Sequence, residues 1–261
     1  MNLHTPFSLE EAINLEPFLF FYEDGKMERV LRYKGSLIKA EFSQKSEKTI
    51  NVKLDLISGE KDDLLEVLQR LKFCLGVDED LHDFLKMVEK SDFLNRYFDV
   101  VKNIRIFSAF DEFEACACII LSQNTSYTFY RKNVQKLLDL NNGVFPLPRE
   151  LPSLIDSVPV GYRKRYLIDL ARFFEGKDFF RALKPEEIKV KGFGQYSKDI
   201  YVLFQHRNFG NVYLDRLTEK IFQKHLGLSN KEVKDYLNKE FPGYEGLVIY
   251  IVQLLHRFKL L

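Results

Sequence analysis

The first quarter of the chain is written in period two. Phe18 to Tyr22, Glu28 to Tyr33, Ser36 to Phe42 and Thr49 to Leu56 are short runs rich in aromatic and branched residues. Asp24-Gly25, Lys34-Gly35 and a charged loop separate them, which predicts strands of an antiparallel sheet joined by close turns. Ahead of them, Ser8-Leu9-Glu10-Glu11 has the spacing of a capping box and predicts a short helix that ends before Pro17. At Asp62 the period changes. Leu64, Leu65, Leu68 and Leu71 recur on one helical face, and further helices are expected over about 79–89 and 91–101.

From there to the C-terminus the pattern stays helical. Asp111 to Leu138 is a long helical stretch, interrupted by the polar patch Ser122-Gln123-Asn124-Thr125-Ser126. On its own that patch reads as a helix–helix turn with Ser and Asn as caps. Pro185-Glu186-Glu187 starts a short helix that closes at Lys189, with proline early and acids at the positive end. A tight turn at Gly192-Phe193-Gly194 follows, then a second helix from about Gln195 to Gln205, a loop, and Asp215. Ser229-Asn230-Lys231-Glu232 is a further capping box, and a final apolar helix runs to Leu255. The expected architecture is α+β, with a sheet subdomain and its following helices over 1–100 and an all-α domain over 101–261. No repeat or long linker divides it.

With 261 residues, 46% hydrophobic and 30% charged, the chain has ample material for a core. No apolar run approaches bilayer-spanning length, so an intracellular location, cytoplasm or nucleoid, is expected and no membrane partner. The three cysteines, Cys74, Cys116 and Cys118, sit in apolar helical contexts and read as reduced core residues. Their number excludes a four-cysteine iron–sulfur cluster. Cysteine and histidine show no paired spacing for zinc. The net charge of +1 conceals an asymmetry: residues 1–100 carry 14 basic and 20 acidic residues, a net −6, which leaves +7 for 101–261. A basic helical half suits a polyanion, although solvated charges split by accident give the same count.

The segment Val190-Lys191-Gly192-Phe193-Gly194-Gln195-Tyr196-Ser197-Lys198, with Leu214-Asp215 nineteen residues after Tyr196, carries the chemistry. Two glycines around one apolar residue suit a helical hairpin, and the helix after it presents unpaired N–H groups that a phosphate diester would fit. The stretch resembles the helix-hairpin-helix and aspartate motif of the DNA glycosylase superfamily. Lys191 stands where that family usually has proline, and the loop before Asp215 also lacks one. RIFSAFDEFEACACIILSQNTS resembles the segment by which 8-oxoguanine and 3-methyladenine glycosylases enter the duplex. The residue matching Asn124 there fills the gap left by a flipped nucleotide. Gly161-Tyr162-Arg163 matches a signature of the 8-oxoguanine branch.

The resemblance implies double-stranded DNA with a damaged base as partner, and action as a monomer. It implies Asp215 as the carboxylate that stabilises the oxocarbenium-like sugar and directs water. The same position would also serve as a helix N-cap. Tyr196, Tyr213 and Phe20 are candidates for the base pocket, with Phe21 and Tyr22 as weaker ones. Gln123, Asn124, Gly192, Gly194, Gln195, Arg163, Lys191 and Arg216 are candidates for the DNA face. No cofactor is required, but a structural Na⁺ or K⁺ on the hairpin backbone at Val190 and Gly192 is implied. Members that also cut the backbone place a lysine where this chain has Tyr196. Lys198 is two residues on, about 200° around a helix. A water-using, monofunctional enzyme for alkylated purines such as 3-methyladenine is therefore expected. An 8-oxoguanine enzyme and an inactive damaged-DNA-binding module are the alternatives.

Overall fold

The structure, a computed structural model, describes residues 1–9, 12, 22–23, 26–46 and 48–261. The capping box at Ser8, the strand expected from Phe18, and the pocket candidates Phe20 and Phe21 therefore lie wholly or largely outside the described residues, as does the side chain of Tyr22. Among the described residues five strands form one antiparallel sheet: β1 (Asn2–His4), β2 (Tyr22–Glu23), β3 (Lys26–Tyr33), β4 (Ser36–Ser46) and β5 (Thr49–Ser58), in the order β1-β5-β4-β3-β2. Lys34 and Gly35 both have positive φ, 46° and 96°, and close the β3–β4 hairpin as a two-residue turn that pairs Tyr33 with Ser36. Strand β1 is too short to leave a period in the sequence, and its place comes from pairing Leu3 with Ile50.

One face of the sheet is buried. Met27, Leu31, Ile38, Ala40, Phe42, Ile50 and Val52 pack on helix α1 (Asp63–Leu75) through Val67, Leu71 and Cys74. Phe107 and Phe110 join that core from the following segment. Among the apolar residues of the same face sits Arg29, whose guanidinium makes a two-pronged ion pair with Glu114, at 2.9 and 2.7 Å, both side chains buried. This pair fastens the sheet to the helical half.

Helices α2 (His82–Lys90) and α3 (Phe98–Val101) precede α4 (Glu112–Ser122), α5 (Tyr127–Leu140), the single turn α6 (Leu151–Leu154) and α7 (Arg163–Phe174). After them come α8 (Gln195–Gln205), α9 (Arg216–Leu226), α10 (Asn230–Glu240) and α11 (Glu245–Arg257). Every residue from Glu112 to Leu121 is buried, so α4 is the central post around which α5, α7 and α8 pack. A second core gathers α9, α10 and α11 around Phe222, Leu237, Ile251 and Leu255. Leu81, Phe84, Val88 and Val101 belong to this second core. The division expected at residue 100 thus does not follow the packing: α2 and α3 share their core with the C-terminal helices, because their apolar faces turn away from the sheet.

Two further expectations change. The helix expected over 91–101 is a 3₁₀ turn at Asn95–Tyr97 followed by the one-turn α3. The first hairpin helix is reduced to a 3₁₀ turn at Pro185–Glu187. Ile188 and Val190, two residues apart, both enter the core, which extended backbone permits and a helix does not.

Removing one partner of the buried Arg29–Glu114 pair costs the other charge its two-pronged partner. Glu114→Ala should lower stability by about 3–5 kcal/mol. Chemical denaturation checks this, and a loss below ~1 kcal/mol would mean that the pair does not anchor the sheet.

Candidate active site

Three chain junctions meet at one end of α4. The helix stops at Ser122, and Gln123 donates its side-chain N–H to the carbonyl of Gly192 at 2.7 Å and to the Ser197 hydroxyl at 2.9 Å. One amide therefore ties the end of α4 to both sides of the hairpin turn. Arg163, at the start of α7, closes the junction from the third side. Its guanidinium is buried and donates to the carbonyls of Gln123 (2.8 Å), Asn124 (3.0 Å) and Val160 (3.2 Å). Arg163 was expected to face phosphates. Its donors are instead directed into the protein, where they hold the 123–124 backbone. Asn124 has a left-handed backbone, φ 46°, and its side-chain N–H donates to the Tyr162 hydroxyl at 3.1 Å. Asn124 and Tyr162 are both exposed and stand side by side on the surface.

The hairpin turn depends on two glycines in different ways. Gly192 has φ +87°, and a Cβ there would overlap the Tyr166 ring, so this position admits only glycine. Gly194 has ordinary extended backbone, and a Cβ would meet nothing. Phe193 between them is buried against Tyr201, edge to face at 6.3 Å, and plugs the bundle. No side chain caps α8, so its first-turn N–H groups face outward beside exposed Lys191, Gly194 and Gln195.

Next to this surface opens a cavity of about 800 Å³ between α8, α9, α11 and the α4–α5 turn. Tyr196, Ile200 and Phe204, at helical spacing, form its α8 wall. Lys198 is absent from that wall, and among the described residues no lysine lines the cavity. Asp215 sits at its edge as the N-cap of α9, where Oδ1 accepts from the Thr218 N–H and the Thr218 hydroxyl, both at 2.7 Å. The Tyr196 hydroxyl approaches Oδ2 at 3.4 Å. Burial, and then the negative charge of Asp215, push the Tyr196 phenol above its ordinary pKa, so it stays protonated at neutral pH. Tyr213 is buried, its ring edge-on to Tyr196 at 6.1 Å. Arg216 and Leu217 are exposed at the lip.

A second cavity, about 790 Å³, lies where the sheet meets the helices. Of its three arginines, Arg29 and Arg32 are neutralised by Glu114 and Glu150. The cavity at Asp215 has the stronger claim to chemistry, because there a carboxylate with no cation within ion-pair distance, among the described residues, meets an aromatic wall beside the hairpin.

The structure thus gathers Asp215, Tyr196 and Tyr213 in one cavity, with Gln123 and Asn124 on its border, and puts the hairpin glycines beside it. Gln253, Tyr127 and Arg257 also line it, and Thr218 lies buried behind Asp215. Thr218 could have been found from the Asp-x-x-Thr spacing of an N-cap. Gln253 is the single amide in the apolar run Leu247 to Leu255. Tyr127 and Arg257, with the guanidinium 5.3 Å from the ring centroid, left no readable signal.

No protein-family model matches this sequence, and no curated protein matches it. Solved structures do. The 3-methyladenine DNA-glycosylase from Archaeoglobus fulgidus superposes with a TM-score of 0.81 at 16% identity, over 99% of this chain and 98% of that one. A structure of MBOgg1 with a low-affinity DNA ligand gives 0.75 at 15% identity, over 98% and 94%. The 8-oxoguanine glycosylase/lyase from Clostridium acetobutylicum, in complex with DNA containing cytosine opposite 8-oxoG, gives 0.72 at 17% identity, over 98% and 94%. The chain shares its fold with these DNA glycosylases over nearly its whole length.

The two hairpin glycines should respond differently to a methyl group. Gly192→Ala must displace the Tyr166 ring and adopt a strained φ, at a cost of roughly 1–3 kcal/mol or more. Gly194→Ala should change stability by no more than about 0.5 kcal/mol. Thermal melts of the two variants check the contrast.

Proposed function

We propose that this protein is a monofunctional DNA glycosylase of base excision repair that flips an alkylated purine of the 3-methyladenine type into the cavity beside Asp215. One observation carries the reading: a carboxylate with no cation within ion-pair distance stands at the edge of an aromatic-walled cavity that, among the described residues, no lysine lines. The rest follows from the chemistry of such a site. As the glycosidic C1′–N bond breaks, the sugar becomes oxocarbenium-like, and the carboxylate stabilises that charge. Water adds its oxygen to C1′ and gives a proton to Asp215, while a cationic alkylated base departs neutral with the bonding pair. Tyr196 and Tyr213 supply faces on which a positively charged purine would stack. Without an amine within reach of the sugar, no Schiff base forms and the backbone stays intact.

On the DNA side, the open N-terminus of α8 with Gly194 and Gln195 would receive a phosphate, and Lys191 and Arg216 would add charge. Asn124, braced by Tyr162, would occupy the gap left in the duplex. The carbonyls of Val190 and Gly192 are the neutral oxygen donors that Na⁺ or K⁺ prefers. Each already accepts one hydrogen bond, from the Phe193 N–H and from Gln123, and retains one lone pair for such an ion. The protein would work as a monomer on double-stranded DNA. Among the described residues no helix is long and apolar enough to cross a membrane.

Single-turnover excision on duplexes with an alkylated purine, with 8-oxoguanine opposite cytosine, and without damage tests the proposal. Release of the alkylated base with no borohydride-trapped adduct is expected, and Asp215→Asn should slow it by about 10²–10³-fold or more while duplex affinity persists. Excision of 8-oxoguanine with a trapped adduct would instead favour the oxidised-base reading, and binding without any release an inactive damage-binding module. Gly194→Ala, which leaves the fold intact, should weaken duplex binding several-fold, about 1 kcal/mol, if a phosphate approaches that backbone.

A further inference from the structure

Behind Asp215 a chain of hydrogen bonds runs through the C-terminal helix. The Tyr213 hydroxyl lies 3.1 Å from Oε1 of Gln253, Nε2 of Gln253 lies 2.7 Å from Oγ1 of Thr218, and Oγ1 of Thr218 lies 2.7 Å from Oδ1 of Asp215. Thr218 is fully buried and Tyr213 nearly so. The direction of every proton in this chain follows from its last member. An ionised carboxylate only accepts, so the Thr218 hydroxyl proton points at Oδ1. Oγ1 must then accept from its other neighbour, which requires the N–H end of the Gln253 amide to face it. That leaves the amide oxygen toward Tyr213, whose phenol donates. Burial pushes the Tyr213 phenol well above its ordinary pKa, so it remains a donor throughout the neutral range. Each hydrogen bond polarises the next in the same sense, toward the carboxylate.

We propose that Gln253 is a positioning residue for Asp215. Its amide, oriented by Tyr213, commits the Thr218 hydroxyl proton to Oδ1, so that Oδ1 is the held oxygen and Oδ2, on the Tyr196 side of the cavity, is the reacting one. This rests on the glycosylase reading for the word reacting, but not for the relay itself. A glutamine suits the task because it donates from one end and accepts at the other without charge. A carboxylate at 253 would take the Thr218 proton for itself and set a second negative charge near Asp215. The other ionisable groups that line the cavity are Arg216 and Glu219 from α9, Arg257 and Tyr250 from α11, Tyr127 and Tyr130 from α5 and Tyr196 from α8, with Tyr213 already in the chain. Gln253→Glu changes none of them but adds its own charge, so the uncharged variants Gln253→Leu and Tyr213→Phe are the ones whose shift of Asp215 reports the relay.

The test has one arm that needs no activity and one that does. The Asp215 carboxyl is titrated by carbon NMR in the free protein, wild type against Gln253→Glu, Gln253→Leu and Tyr213→Phe, with thermal melts to show that each variant is folded. The midpoint should rise by about one pH unit or more in Gln253→Glu and by less in Gln253→Leu. In single-turnover excision of an alkylated purine, Gln253→Leu should lose about tenfold in rate with duplex affinity unchanged. The acid limb of the rate profile should move upward in Gln253→Glu. An Asp215 midpoint unmoved by Gln253→Leu overturns the relay, and a changed preference among bases in that variant would then mean that Gln253 reads the base. If Gln253→Leu does not fold, Tyr213→Phe must show the smaller upward midpoint shift, and its absence overturns the relay equally. If wild-type protein releases no base, the glycosylase reading falls and the titration still decides the relay.

Discussion

The junction of α4, the hairpin and α7 is the constraint on which the site depends, and a buried guanidinium holds it. A helix that ends inside a protein leaves carbonyls needing donors, and the bend from α4 into α5 adds those of Gln123 and Asn124. Arg163 supplies both from one planar fork while its charge is spread over three carbonyl dipoles. With the bend fixed, the Gln123 side chain reaches the hairpin, and the hairpin fixes the start of α8. The α8 wall of the cavity, Tyr196, Ile200 and Phe204, takes its angle from that start.

The electrostatic plan is consistent with this mechanics. Four of the buried scaffold charges neutralise one another in pairs, Arg29 with Glu114 and Arg207 with Glu79, because an isolated charge in low dielectric is costly. Asp215 is treated differently. Its stabilisation comes from a backbone N–H, a hydroxyl and a helix N-terminus, all neutral dipoles. A carboxylate held by dipoles keeps its full negative charge for a cation that arrives or develops later. An arginine partner would have neutralised it in advance.

The alternation of strands and helices, the α+β order, the limits of α8 and the N-cap position of Asp215 were all legible in the sequence. Each is set by neighbours along the chain: side-chain period, turn chemistry at Lys34-Gly35, capping residues, and the missing Cβ at Gly192. Candidate chemistry was legible for the same reason, since the hairpin and the aspartate lie within one short segment. The chain also announced Asn124 and the aromatic at 196 by their place in a local pattern.

What only the tertiary structure decided are relations between distant segments. Arg163 has the composition of a phosphate contact, and its inward turn depends on carbonyls forty residues away. Helices α2 and α3 read as followers of the sheet, yet their apolar faces fit the C-terminal helices. Ile188 and Val190 look helical by position, but a common core on one side draws them into extended backbone. Gln253 is a lone polar residue in an apolar helix until Tyr213 and Thr218 arrive from two other elements to meet its two ends. Local sequence sets backbone conformation through short-range sterics and hydrogen bonding. Which donor finds which acceptor across the fold depends on how the helices pack, and no short window of the chain contains that.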